Sequence, residues 1–137
     1  MANELLTQII QDGPRNTSVK ISGVLTDSDL AQQVIVDPAL LAGIDNTGTR
    51  KAGHLLLEKI SHNIEDQLAV ALFWDATTPV RIESLTGRGL IDYHDIGGLP
   101  DNSGVGSTGK ILLETQGFSV GTTLSFALTI RLVKQQR

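Results

Sequence analysis

The clearest pattern along the chain is a strict alternation of apolar and polar residues between Thr122 and Lys134. The apolar positions of this segment are Leu124, Phe126, Leu128, Ile130 and Leu132. An alternation of period two places one face of a β-strand on a core and the other toward solvent, whereas helical positions repeat about every 3.6 residues. The segment is therefore predicted to be a long strand with one buried face.

Shorter runs of the same kind occupy most of the remaining chain. They predict strands at 7–11, 19–25, 32–37, 55–64, 68–74, 80–83, 89–94 and 110–114. The run 68–74 has apolar residues in both registers, which indicates burial on both faces. Residues that favour turns separate the runs, as at 12–14, 78–79 and 116–117. A single short helical turn is predicted at 38–42.

The number of strands indicates the fold class. About eight or nine short strands in a chain of this length are typical of a β-sandwich or barrel. We predict an all-β fold, an antiparallel β-sandwich of jelly-roll type, although a strand count does not separate a jelly roll from an immunoglobulin-like sandwich. At 137 residues, with 40% hydrophobic and 19% charged residues and no internal repeat or linker, the chain 1–137 is predicted to form a single domain.

Charge and cysteine content narrow the range of partners. The formal net charge is −4, cysteine is absent, and the sequence contains no run of basic residues. Binding to nucleic acid or to an anionic membrane usually starts from clustered positive charge, so neither is expected as a direct partner. No stretch approaches the roughly 20 apolar residues that span a bilayer, and residues 1–11 lack the features of a secretion signal. We therefore expect synthesis in a cytoplasm.

The segment 97–109 (GGLPDNSGVGSTG) is rich in glycine and poor in apolar residues. Glycine loses more backbone entropy on ordering than any other residue, so two readings stay open: a flexible tip, or a contact loop that is ordered only by another molecule. Its end and the following residue read GVGSTGK, which matches the spacing of a phosphate-binding loop. That motif requires a helix after the glycines, whereas the β-like Ile111 follows, so nucleotide binding is not predicted.

No catalytic, cofactor-binding or metal-binding residues are predicted. His54, His62 and His94 do not have the spacing of metal ligands, and no nucleophile elbow is present. An enzyme is therefore not expected. The single tryptophan, Trp74, ends an apolar strand. It is interpreted as a core residue in preference to an interface anchor.

Several short strings resemble, in the same order, those of a family of small virion structural proteins from tailed bacteriophages. They are QDGPRN at 11–16, FWDATTPVRI at 73–82, LxGRG at 85–89, GGL at 97–99, TGKI at 108–111 and LSFAL at 124–128. The resemblance spans nearly the whole chain and rests on turns and strand patterns. It implies a jelly-roll-like sandwich that decorates or cements a capsid, often as a dimer or trimer.

On this resemblance, the expected partners are the major capsid protein or another virion protein, together with further copies of the chain as a homo-oligomer. The expected location is the capsid surface of the virion, after synthesis in the host cytoplasm. A cement protein uses exposed loops and terminal arms for many weak contacts that symmetry repeats. The candidate segments are an N-terminal arm at 1–8, the loop at 97–109 and the C-terminus. The candidate contact residues are Leu5, Leu6, Gly98, Leu99, Asn102, Val105, Gln135 and Arg137.

Three alternatives remain open at this point. The residues 1–8 can also be read as an edge strand of the sandwich. Similar proteins also occur at necks and tails, so the location is less specific than the class. A carbohydrate-binding β-sandwich is a further alternative, although aromatic residues make up only 4% of the chain and such modules usually display them.

Overall fold

The computed structural model describes residues 3–13, 15–41 and 54–135. Within these ranges, nine β-strands and two short 3-10 turns are present, and none of the helical segments is long and apolar enough to cross a bilayer. The strands are β1 (Glu4–Asp12), β2 (Asn16–Leu25), β3 (Gln33–Val36), β4 (His54–Ile64), β5 (Ala69–Trp74), β6 (Val80–Leu85), β7 (Arg88–Asp92), β8 (Ile111–Gln116) and β9 (Leu124–Gln135). The 3-10 turns are Pro38–Leu40 and His94–Ile96.

The strands form two antiparallel sheets. One has five strands in the order β1-β2-β9-β4-β7, and the other has four in the order β3-β8-β5-β6. From β2 onward the strands pair in a nested way, the first with the last: β2 with β9, β3 with β8, β4 with β7 and β5 with β6. Nested pairing that alternates between two sheets is the winding of a jelly roll. The predicted antiparallel β-sandwich is confirmed, and the strand order is that of a jelly roll with one additional edge strand, β1.

The core lies between the sheets. Every apolar position of the alternating segment in β9 is buried, and the opposite sheet contributes Leu72, Leu113 and Trp74. Complete burial of one large aliphatic side chain contributes roughly 1.5–3 kcal/mol, so this layer accounts for most of the driving force for folding. Trp74 is 1% exposed, which confirms the core interpretation.

The predicted burial of both faces of β5 is also confirmed. Val70 and Leu72 face the main core, while Ala71 and Phe73 form a small second cluster with Leu112. This second cluster lies on the other face of the four-stranded sheet, because adjacent residues of a strand point to opposite faces. The Arg81 guanidinium lies over the Phe73 ring, 5.5 Å from its centroid.

The connections between strands cluster at the two ends of the sandwich. One end, here called the glycine-loop end, carries the β1–β2 turn, the β3–β4 connection, the β5–β6 turn and the β7–β8 connection at 93–110. The opposite end carries the connections 26–32, 65–68, 86–87 and 117–123. The helical turn predicted at 38–42 is a 3-10 turn over Pro38–Leu40, and residue 42 lies outside the described ranges. The Asp37 carboxylate accepts a hydrogen bond from the Ala39 N–H, 3.0 Å, and so caps this turn.

The N-terminal residues belong to the sandwich itself. β1 pairs with β2 along its length, with Leu5 opposite Gly23 and Ile9 opposite Val19. Of the expected arm 1–8, the residues from Glu4 onward therefore form an edge strand of the domain instead of a free arm, and residues 1 and 2 lie outside the described ranges. A tight turn connects β1 to β2, and β2 also pairs with β9. β1 is therefore stabilised by pairing with a sheet that already has a buried face.

Candidate functional site

Two of the candidate contact residues lie on β1. Leu5 is partly buried and packs against the main core, whereas the next residue, Leu6, is 56% exposed. This difference follows from the alternation of a strand, which directs Leu5 toward the other sheet and Leu6 away from it. Both residues lie toward the opposite end, because their partners in β2 are Gly23 and Ser22.

Two further candidates, Gly98 and Leu99, attach the glycine-rich loop to β4. Leu99 donates its N–H to the Leu57 carbonyl, 2.8 Å, and accepts from the Leu57 N–H, 2.9 Å. Gly98 has a φ of +95° and is buried, and a Cβ at this position would lie 2.5 Å from Cδ2 of Leu56. Only glycine combines this backbone conformation with such a close approach. Gly98 therefore allows the loop to pack closely on Leu56 of β4, and the Leu99 side chain is partly buried.

Asn102 and Val105 are the outermost of the candidates in the loop. Asn102 is exposed, and the Val105 side chain is 85% exposed. The backbone beneath them is fixed, because the Val105 carbonyl accepts from the Thr77 N–H at 3.2 Å. A Cβ on Gly106 would lie 2.1 Å from Thr77 Oγ1, so the loop approaches the β5–β6 turn more closely than a larger residue would permit.

The loop is ordered by its own domain, which differs from both readings of the sequence, a flexible tip and a loop that is ordered only by another molecule. The Asp101 carboxylate accepts from the Ser103 N–H, 3.0 Å, and from the Ser107 hydroxyl, 3.1 Å. The Thr108 hydroxyl donates to the Asp75 carboxylate, 2.8 Å, and the Asp75 N–H donates to the Lys110 carbonyl, 3.0 Å. These hydrogen bonds offset part of the entropy that the glycines lose on ordering.

The candidate residues do not converge on a single site. Gln135 pairs with His54 at the glycine-loop end, and Arg137 lies outside the described ranges. Four loop candidates and Gln135 therefore share one end of the sandwich, whereas Leu5 and Leu6 lie toward the other. The chain thus presents at least two separate surfaces.

Sequence reasoning missed several exposed aliphatic side chains. At the glycine-loop end, Leu40 is 77% exposed and Ile96 is 69% exposed, each on a 3-10 turn. Along β1 and β3, Ile9, Ile10 and Val34 are between 49% and 59% exposed. The adjacent isoleucines were a usable signal, because two consecutive residues of a strand cannot both face one core.

The string that resembles a phosphate-binding loop has the wrong context for that function. Gly104–Lys110 is followed directly by β8, so no helix N-terminus presents N–H groups at this position. The histidines are dispersed: His54 begins β4, His62 lies beside Gly87 and Gly89, and His94 begins a 3-10 turn. In the ranges that the structure describes, no three His, Asp or Glu side chains are grouped to hold a metal ion.

One tyrosine connects the two sheets on the side away from β1. The Tyr93 hydroxyl, just after β7, donates to Oε2 of Glu83 on β6, 2.8 Å. Burial raises the pKa of Tyr93 to about 12, and the hydrogen bond to Glu83 and its negative charge act in the same direction. The pair is a polar link across the open side of the sandwich.

Two concavities accompany these surfaces. The larger, about 650 Å³, lies at the opposite end between Ser22, Asn63 and Glu65, and its lining is mainly polar and backbone. The second, about 260 Å³, is an apolar groove between β1 and β3, with Ile9, Val34 and Leu40 in its lining. The groove joins β1 to the exposed aliphatic residues described above.

Comparison with known proteins gives no match, either to a protein-family model or to a curated protein. The proposal about function therefore rests on the exposed surfaces of the sandwich.

Proposed function

We propose that this protein is a structural component of a tailed-bacteriophage virion, a cement protein that binds the major capsid protein and stabilises the shell. The observation that carries the proposal is the presence of exposed aliphatic side chains on three separate turns of the glycine-loop end. Leu40, Ile96 and Val105 are 77%, 69% and 85% exposed there, on turns that are held by hydrogen bonds. Exposed apolar residues on fixed loops are typical of protein interfaces.

Some of the strings that carry the family resemblance lie on this surface. The segments 73–82, 97–99 and 108–111 are separated in sequence but meet at the glycine-loop end, whereas 85–89 and 124–128 lie toward the opposite end. Thr108 and Asp75, from two of these strings, are hydrogen-bonded to each other. These three strings therefore build one structural feature, the base from which Val105 projects.

The position of the aromatic residues argues against a carbohydrate-binding module. Sugar binding on a β-sandwich requires aromatic rings on an accessible face. The five aromatic residues of the chain are all buried or partly buried: Phe73, Trp74, Tyr93, Phe118 and Phe126. A neck or tail protein would use the same exposed aliphatic side chains, so only the identity of the partner distinguishes that alternative from a cement protein.

Co-sedimentation with assembled capsids of the encoding phage tests the proposal. The wild-type chain is expected to pellet with capsids, and the triple variant Leu40→Ser, Ile96→Ser, Val105→Ser to bind about 100-fold more weakly, because each lost apolar contact typically costs about 1 kcal/mol. The matched control is Leu90→Ser, Val120→Ser, which removes two exposed aliphatic side chains (64% and 93%) from elsewhere on the molecule.

Circular dichroism establishes that each variant remains folded. Equal binding by the triple variant and the control would remove the glycine-loop end as the contact surface. A wild-type chain that ignores capsids but pellets with isolated necks or tails would replace the cement role with the neck or tail alternative.

A further inference from the structure

Four strands form the sheet edges in the described part of the chain: β1 and β7 in the five-stranded sheet, and β3 and β6 in the four-stranded sheet. An edge strand exposes unpaired N–H and C=O groups that can pair with another chain. Natural proteins therefore shorten their edge strands, place charges on them or interrupt them with bulges.

Three of the four edges have such protection. β3 has only four residues, and its pairing with β8 shifts register between Val34 and Val36. β6 carries Arg81 and Glu83, and its pairing with β5 also shifts register. β7 has five residues, with Arg88 at one end and Asp92 at the other.

β1 has this protection only at its ends, with Glu4 at one end, and a register shift between Ile9 and Gln11 and the charge of Asp12 at the other. It is nine residues long, its segment 5–11 (LLTQIIQ) contains no charged residue, and its register with β2 is regular from Glu4 to Ile9. Leu6, Ile9 and Ile10 are about half exposed on it. An uncharged segment of high β-propensity on a free edge is a site for strand pairing. Its persistence in a native chain indicates that something covers it.

The groove beside β1 extends the apolar surface. Ile9 lies opposite the buried Val19 and thus faces the four-stranded sheet, where it lines the groove with Val34 and Leu40. Leu6 lies on the opposite face of β1, so exposed apolar side chains flank the free edge of this strand on both faces of the sheet. Strand pairing at this edge would cover side chains on both faces, together with the unpaired N–H and C=O groups between them.

We propose that two copies of this chain pair through β1, edge to edge and antiparallel, to make one continuous ten-stranded sheet. A two-fold axis at Thr7 places Leu5 of each copy opposite Ile9 of the other, with Thr7 opposite its own counterpart. Leu5, Thr7 and Ile9 share the face directed toward the other sheet, so the paired residues meet on one side. In a two-fold contact of this kind, the same residues of both copies form the interface.

Charge favours a second copy in this orientation. Glu4 is the one charged residue of β1 apart from Asp12, and Asp12 is paired with Lys134. Around Thr7, Glu4 falls opposite Ile10 of the second copy, so the two Glu4 side chains lie roughly 20 Å apart. That separation exceeds the Debye length of about 8 Å at physiological salt, so their repulsion is screened. A parallel arrangement would place the two carboxylates side by side.

The absence of cysteine allows a direct test by crosslinking. A single Thr7→Cys substitution places two thiols at the two-fold axis, where antiparallel strand partners are about 4.5–5.5 Å apart at Cα, within the range of a disulfide. The controls are Leu90→Cys, at the centre of β7, and Val120→Cys, at the most exposed aliphatic position. Each variant is oxidised at micromolar concentration and run on a non-reducing gel, and the wild-type mass is measured by light scattering.

We expect a dimer mass and a Thr7→Cys crosslink that forms about 100-fold faster than either control, because pairing gives the two thiols a millimolar effective concentration. Ile9→Lys, which places charge on the edge, should return the protein to a monomer with an unchanged circular dichroism spectrum, whereas Leu90→Lys should remain a dimer. A monomeric or trimeric wild type, or a Thr7→Cys rate equal to the controls, overturns the proposal. The pairing does not depend on capsid binding, so each proposal can fail alone.

Discussion

The two outer strands of the five-stranded sheet, β1 and β7, have the same topological position but different surfaces. β7 is short, carries Arg88 and Asp92, and is followed by Tyr93, which bonds across to Glu83 on the other sheet. β1 is nearly twice as long and exposes aliphatic side chains beside an apolar groove. One side of the sandwich is thus closed by polar contacts within the chain, and the other is left apolar.

The difference shows how a jelly roll can separate folding from association. The core and the nested strand pairs are the same on both sides, so neither edge is needed to define the fold. The Tyr93–Glu83 contact beside β7 joins the two sheets of one chain, whereas the ion pair on the β1 side lies at the end of the strand, between Asp12 and Lys134. Substitutions on the two sides should therefore differ in size and in kind.

The largest difference is expected for the lysines on the two sides. Lys134 is buried at the end of β9, pairs with Asp12 and donates to the Gly13 carbonyl at 2.6 Å, which ties the β1–β2 turn to the sheet. Lys59 pairs with Asp92 at 4.0 Å, and both side chains are about 40% exposed. Lys134→Ala should cost about 2–3 kcal/mol, because it removes the ion pair of a fully buried ammonium with the partly exposed Asp12 carboxylate and its hydrogen bond to Gly13, and Lys59→Ala at most about 1 kcal/mol. Urea unfolding measures both, and equal losses would refute the comparison.

Two glycines near the two edges of the five-stranded sheet should give the next largest difference. A Cβ on Gly23, next to β1, would lie 2.5 Å from the Phe126 ring, which is fixed in the core. A Cβ on Gly89, in β7, would lie 3.2 Å from Nε2 of His62. Gly23→Ala should therefore cost about 1–3 kcal/mol through overpacking, and Gly89→Ala less than about 1 kcal/mol. Thermal unfolding of the two variants measures the difference, and a larger loss for Gly89→Ala would contradict it.

Tyr93→Phe should have a smaller effect than Lys134→Ala, about 1 kcal/mol at neutral pH, because it removes one partly exposed hydrogen bond. Its effect should depend on pH. The pKa of Tyr93 is raised to about 12 in the folded chain, above the value of 10.0 for an ordinary tyrosine, so the stability it contributes is complete below pH 10.0 and is lost as pH rises through about 12.

The urea midpoint of the wild type, followed between neutral pH and high pH, should therefore fall more steeply than that of Tyr93→Phe. Parallel curves for the two proteins would show that the link to Glu83 does not hold the phenol in its neutral form. Ser84→Ala is a suitable control, because it removes an exposed hydroxyl of β6, an acceptor from Arg81, without touching the tyrosine.

The strands and their buried faces were predictable from local pattern. Side chains of a strand point to the same face at every second residue. The alternation in β9 therefore predicts one buried face, and the continuous apolar run of β5 predicts two. The features that remained unpredicted depend on partners far away in sequence. Asn16 pairs with Val133, and Gly98 is fixed by Leu56.

The same dependence on distant parts of the chain explains why the surroundings of the candidate contact residues could not be predicted. The exposure of Leu6 was compatible with either an arm or an edge strand, since the same alternation serves both. Leu40 and Ile96 were missed because their exposure results from short turns whose direction is set by the ends of other strands. Hydrophobic residues in such turns give no periodic signal in the sequence.

Amide hydrogen exchange at low and high protein concentration tests the central claim most directly, because it reads both edges in one experiment. If β1 is covered by a second copy, the amides of 4–9 should exchange more slowly at the higher concentration, while those of Arg88–Asp92 in β7 keep the same rate. Amides of β1 that exchange at the same rate at both concentrations, in step with those of β7, would contradict the account.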